Sequence, residues 1–140
     1  MEALRWKTRI AVLWIISAVA MSAHMILLLI DPAALKLGAQ WATTASQAEW
    51  VLVALYWFVP LWLAFVTVAA KDPASHWVNV VAAIVVTLFN VWHFVICGVP
   101  LLKGGPFAEP KAPHVLMVGS AALATALIIW YAWKWPKQEA

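Results

Sequence analysis

Four predominantly apolar runs, at about residues 10–30, 46–70, 74–98 and 113–133, constrain this chain more than any other feature it carries. A helix of about 20 such residues is about 30 Å long, which matches the hydrocarbon core of a bilayer. Ordinary soluble domains do not reach 66% hydrophobic and 11% charged residues. The sequence therefore predicts an all-α membrane protein: an antiparallel four-transmembrane-helix bundle, one domain over residues 1–140. Its connections leave no room for a separate soluble head, so any function is in the bundle or its loops.

The boundaries follow from local chemistry. Asp31 as an N-cap with Pro32 at the first helical position predicts a short surface helix over residues 32–37, closed by Gly38. Ser46-Gln47-Ala48-Glu49 fits the capping box and opens the second span. Pro60 inside that span lacks an N–H and predicts a kink, tolerable where neighbouring groups satisfy the freed carbonyl. Lys71-Asp72-Pro73 makes a tight turn, with Asp72 as the N-cap of the third span. Gly98 and Pro100 stop that span, and the prolines at 100, 106, 110 and 113 with Gly104-Gly105 predict an irregular loop.

Loop charge orients the bundle. Arg5, Lys7, Arg9, Lys71, Lys134 and Lys137 fall on one side, against Lys36, Lys103 and Lys111 on the other. Both termini are expected to be cytoplasmic, in a multi-pass protein of the bacterial cytoplasmic (inner) membrane. Most of the 11 tryptophans mark predicted interfaces; Trp14, Trp57, Trp62 and Trp92 lie deeper, as packing or lipid-facing rings. The basic start followed by an apolar run and Ala18-Val19-Ala20 resembles a secretory signal, but it is expected to be retained as the first span. The net charge of +3 lies in loops and no basic-aromatic stripe is present, so nucleic acid is not a partner. Cys97 is the only cysteine, which excludes an internal disulfide and a multi-cysteine motif.

Helical spacing sorts the polar residues into faces, because positions seven or eleven apart nearly eclipse each other. Ser17, His24 and Asp31 share a face of the first span; Glu49, Tyr56, Pro60 and Thr67 share one of the second. Asn79, Asn90 and Cys97 form a stripe on the third with His93 beside it, and His114 and Thr125 align on the fourth near the small residues Gly119, Ser120, Ala121 and Ala124. Polar groups in lipid must find partners, so these faces are expected to meet in a partly polar interior. His24 and His93 fall about 8–9 Å inside their span ends at 1.5 Å per residue, at matching depth.

Two imidazoles at one depth can share a metal, a haem iron, a proton or a ligand. They can also simply hydrogen-bond across a helix interface and fix packing. Glu49, Asn90 and His114 flank them as candidate ligand-binding residues; capping is the competing role for Glu49 and a wet interface for His114. No Ser-His-Asp set, His-Glu-x-x-His, phosphate loop or paired intramembrane carboxylate supports a hydrolase or a kinase.

Asp31-Pro32 after the first span, Trp77-Val78-Asn79 opening the third and Trp130-Tyr131-Ala132-Trp133-Lys134-Trp135 closing the fourth resemble a family of small uncharacterised bacterial four-span integral membrane proteins. The resemblance implies the fold, carries no activity and transfers no catalytic residue. Ala20-x-x-x-His24-x-x-x-Leu28 resembles the helix pattern by which light-harvesting polypeptides hold bacteriochlorophyll. The leading expectation is a non-enzymatic protein that binds a hydrophobic ligand, metal or cofactor (haem and pigment among them) in an outer-side polar pocket, with His24 and His93 as contacts or metal ligands. One alternative is an accessory or assembly subunit of a larger membrane complex or a homo-oligomer. Another is a lipid or isoprenoid isomerase using a His/Glu acid-base pair.

Overall fold

The computed structural model describes residues 2–95 and 111–135, apart from the side chains of Ala3, Ala33, Ala34, Leu37, Asp72, Lys111, Ala112 and His114. These residues form five helices: α1 (Glu2–Ile30), α2 (Pro32–Thr44), α3 (Gln47–Ala69), α4 (Asp72–His93) and α5 (Lys111–Trp133). There is no strand among the described residues. Four of the helices are long and apolar enough to cross a membrane: Leu4–Ile30, Gln47–Ala69, Pro73–His93 and Val115–Trp133. Between 22% and 33% of each span's apolar window is buried within the protein, so most of each span presents apolar side chains outward. A bilayer accepts that surface and water does not.

α1 packs most extensively against α5 and α3, α4 packs against α5, and α3 and α4 touch only lightly. The neighbours around the bundle therefore run α1, α3, α4, α5, with α1 and α4 on a diagonal. Close approach is possible because small residues line the contacts: Ala11, Ala64, Ala83 and Ala132 around Trp14, Ile10 and Ile128 in one cluster, and Ala20, Met21 and Ala121 with Tyr56 in another. On α5 the buried stripe is Val118, Ala121, Ala124, Thr125, Ile128 and Ala132, a helical face that leaves Ser120 exposed.

Several element ends differ from the sequence expectation. α1 starts at Glu2 rather than near residue 10, because Arg5, Lys7 and Arg9 end an apolar run without ending a helix. α2 passes through Gly38 to Thr44; a Cβ at Gly38 would meet nothing within 4 Å, so this glycine sits in an open helical position and caps nothing. Trp41 near its end lies on Trp50 of α3, with ring centroids 4.9 Å apart. The N-cap of α4 is Lys71 and not Asp72, which is the first helical residue beside Pro73, and no side chain caps that end. α5 begins at Lys111, two residues ahead of Pro113. The expected Ser46–Glu49 capping box is present, with Glu49 N donating to Ser46 Oγ at 3.3 Å and Ser46 N donating to Glu49 Oε2 at 2.7 Å. α3 runs unbroken through buried Pro60. Gly98, Pro100 and the remainder of the proline-rich connection as far as Pro110 lie outside the described residues, as does Cys97.

The end of the bundle where α1 and α4 start is rich in cations and aromatic rings. Arg9 lies over Trp6 and Tyr131 at 5.6 and 6.0 Å, Lys134 lies over Trp130 at 4.0 Å, and Lys7 Nζ donates to the Ala70 carbonyl at 2.7 Å. Lys7 thus serves a carbonyl just past the end of α3, where the helix has run out of N–H donors. His76 is half-buried between Trp77 and Trp135.

Candidate functional site

Two polar layers cross the bundle at different depths. The first lies toward the start of α1 and α4. Asn79 Oδ1 accepts from Trp14 Nε1 at 2.6 Å, Thr67 Oγ1 approaches the same oxygen at 2.9 Å, and Asn79 Nδ2 donates to the Ser75 carbonyl at 2.7 Å. The Thr67 hydroxyl also reaches the Leu63 carbonyl at 2.6 Å, and its single proton is divided between the two acceptors. The indole N–H is a donor only, which fixes the orientation of the Asn79 amide. Ser75 Oγ donates to the Thr67 carbonyl at 2.9 Å, joining the start of α4 to the last turns of α3. Trp14, Thr67, Ser75 and Asn79 are all fully buried, so this layer is a satisfied structural tie among α1, α3 and α4.

The second layer lies toward the ends of α1 and α4 and contains the residues singled out for chemistry. Ser17, His24 and Asp31, spaced by seven on α1, are 1%, 1% and 3% exposed, which makes their shared face the inward one. His93 stands in the last turn of α4 and is half-buried. The two imidazoles meet: Nε2 of His93 is 3.4 Å from Nε2 of His24, the ring centroids are 5.3 Å apart and the planes lie at 87°. If the contact is a direct hydrogen bond, one ring carries the Nε2 proton and the other accepts it.

A scaffold lies one helical turn inside the pair. Tyr56 Oη donates to Asn90 Oδ1, and Asn90 Nδ2 donates to Thr125 Oγ1 at 3.2 Å and to the Ala121 carbonyl at 3.3 Å. The Tyr56 ring packs on Phe89 at 4.7 Å, with the His93 ring 6.4 Å away. Asn90 is thus taken up in a bridge from α3 through α4 to α5, three residues before His93.

Of the residues expected at the site, the structure brings together His24 and His93, with Asn90 one helical turn before His93 on α4. Glu49 is elsewhere: it is exposed at the first turn of α3, and its carboxylate oxygen Oε2 accepts from both the backbone N and the hydroxyl of Ser46, at 2.7 and 2.8 Å. The physical reason is the capping box itself, which draws the carboxylate back along its own helix. The side chain of His114 lies outside the described residues. Among the described residues no group of three or more His, Cys, Asp or Glu side chains is placed to hold a metal, so the pair supplies two protein nitrogens. A shallow apolar concavity lined by Leu61, Trp62 and Phe65 lies on the exposed face of α3 and includes neither histidine.

Sequence reasoning missed the Trp14–Asn79 bond and the Tyr56–Asn90–Thr125 bridge. Helical spacing puts Tyr56, Thr67, Asn79, Asn90 and Thr125 on inward faces, but periodicity within a helix does not say which residue of another helix stands opposite. Trp14 carried no signal beyond its depth.

No protein-family model, curated protein or solved structure matches this chain.

Proposed function

We propose that this chain is a non-enzymatic binding protein of the bacterial cytoplasmic membrane, holding a small hydrophobic ligand, metal or cofactor at a site built on His24 and His93. In this reading the spans form an antiparallel bundle with both termini cytoplasmic, and the site faces the outer side. The charge asymmetry of the loops supports that orientation, as does the ring of cations and aromatic side chains around the start of α1 and the end of α5.

The observation that carries the reading is the meeting of two imidazoles from helices on a diagonal, Nε2 to Nε2 at 3.4 Å, with His24 almost completely buried. Polar ties that only fix packing have a different form in this protein. Asn79 and Asn90 each make hydrogen bonds to several partners on neighbouring helices or along their own. The histidine contact has two ring nitrogens facing each other at 3.4 Å, an arrangement suited to a third body. An ionisable pair inside a membrane span is itself a functional signal.

The test is to purify the protein from native membrane, record its absorption spectrum, and measure co-purifying organic molecules by mass spectrometry together with elemental content. A stoichiometric ligand, metal or cofactor in the wild type that is lost in His24→Ala and His93→Ala is the expected result. Unchanged content and stability in both variants would overturn the reading.

A further inference from the structure

We infer that His24 and His93 bind a divalent late first-row metal ion of the zinc class, in tetrahedral geometry through both Nε2 atoms, with the remaining positions open to exchangeable donors. This rests on the binding reading above and narrows it to a metal.

The spacing is the main argument. Two nitrogens each about 2.0–2.1 Å from one ion stand about 3.3–3.4 Å apart at the tetrahedral angle. The same bond lengths put them about 2.9 Å apart at a right angle and about 4.1 Å apart in line, as on the two faces of a haem. The observed separation is 3.4 Å, at the long end of hydrogen-bond distances and matching the tetrahedral value. The ring centroids are 5.3 Å apart with the planes nearly perpendicular, so the rings meet at their Nε2 ends rather than stacking.

The donor set gives the class of metal. Imidazole suits zinc, copper and nickel, whereas magnesium and calcium require oxygen cages. The Tyr56–Asn90–Thr125 bridge beneath the pair supplies the rigidity that a metal site needs, holding α4 against α3 and α5 while the ring of His93 projects toward α1. Two neutral imidazoles leave the charge of a divalent ion uncompensated, which is costly in a membrane. A hydroxide or another anionic oxygen donor in an open position would lower the net charge.

The experiment uses the full chain in detergent, stripped with a chelator, loaded with zinc(II) and desalted. We expect about one retained zinc per chain, and strong visible absorption of the tetrahedral type when cobalt(II) replaces it. X-ray absorption on the wild-type zinc form should register two imidazole ligands. His24→Gln and His93→Gln should each weaken retention by at least about tenfold, whereas Thr43→Ala on the exposed surface of α2 should not. Failure of the wild type to retain metal, a six-coordinate cobalt spectrum, or equal retention in both histidine variants would overturn the inference. Because the spectra are read on wild-type protein, a histidine variant that fails to fold does not remove the test. A histidine-dependent organic ligand without retained metal would overturn the metal and leave the binding reading in place; absence of both would overturn both.

Discussion

Replacing Asn79 with Leu tests the buried polar layer most directly, since the change keeps the branching and heavy-atom count of the side chain while removing every polar atom. The variant loses the acceptor of the Trp14 indole N–H, one of two acceptors of the Thr67 hydroxyl, and the donor to the Ser75 carbonyl. Thr67 retains the Leu63 carbonyl, so the principal orphan is the indole N–H of a tryptophan with no exposed surface. Side-chain hydrogen bonds between membrane helices average about 0.6 kcal/mol each, because unfolded helices in a bilayer also find partners. An orphaned buried donor adds about 1–3 kcal/mol. The expected loss for Asn79→Leu is therefore about 2–4 kcal/mol, dominated by the orphan. Reversible unfolding in mixed micelles measures it, and a cycle with Trp14→Phe isolates the pair. With the indole N–H already gone, both the lost bond and the orphan disappear, so Asn79→Leu should be milder by about 1.5–3.5 kcal/mol. A single-variant loss below about 0.5 kcal/mol, or strict additivity in the cycle, would refute the account of this layer.

Other expectations are smaller. Tyr56→Phe removes one donor from Asn90, which retains Thr125 and Ala121, so stability should fall by about 0.5–1.5 kcal/mol in the same assay; an unchanged midpoint would count against the bridge. Ser46→Ala removes the hydroxyl half of the capping box, leaving only the backbone N–H at position 46 to donate to Glu49, and should speed amide hydrogen exchange in the first turn of α3, a local loss of about 1 kcal/mol. A Cβ at Gly119 would lie 3.7 Å from Phe94 Cε2, an ordinary contact, so Gly119→Ala should stay within about 0.5 kcal/mol of wild type while Gly119→Leu overpacks by about 1–3 kcal/mol. A fluorescent protein fused after Ala140 should be bright and a periplasmic phosphatase at that position inactive, with the reverse for fusions at Lys103; the opposite pattern would invert the orientation.

Much of the architecture was legible because it is encoded by residues close in sequence. Apolar runs locate the spans, Ser46 and Glu49 locate a helix start, and the seven-residue spacing of Ser17, His24 and Asp31 identifies a face that is indeed buried. Charged residues were a poorer guide to helix ends: Arg5, Lys7 and Arg9 continue α1, and Lys71 rather than Asp72 precedes α4. The histidine pair was legible as two residues at one depth, because rise per residue transfers between helices. Glu49 shared a stripe with Tyr56 and still lies apart from the pair, since a local cap at 2.7 Å outcompetes a more distant partner. The Asn79 and Asn90 networks depend on which helices are neighbours, and that information resides in the whole set of contacts.

The diagonal contact between His24 and His93 also bears on the order of synthesis. The two residues are 69 positions apart in the chain. Translation at about 5–20 residues per second separates their emergence by about 3–14 s. During that interval α1 must enter the membrane with His24 unmatched by His93, and the strong apolar character of the rest of α1 makes that entry feasible. The arrival of α4 then closes the diagonal, so this contact can form only once the third span is in place.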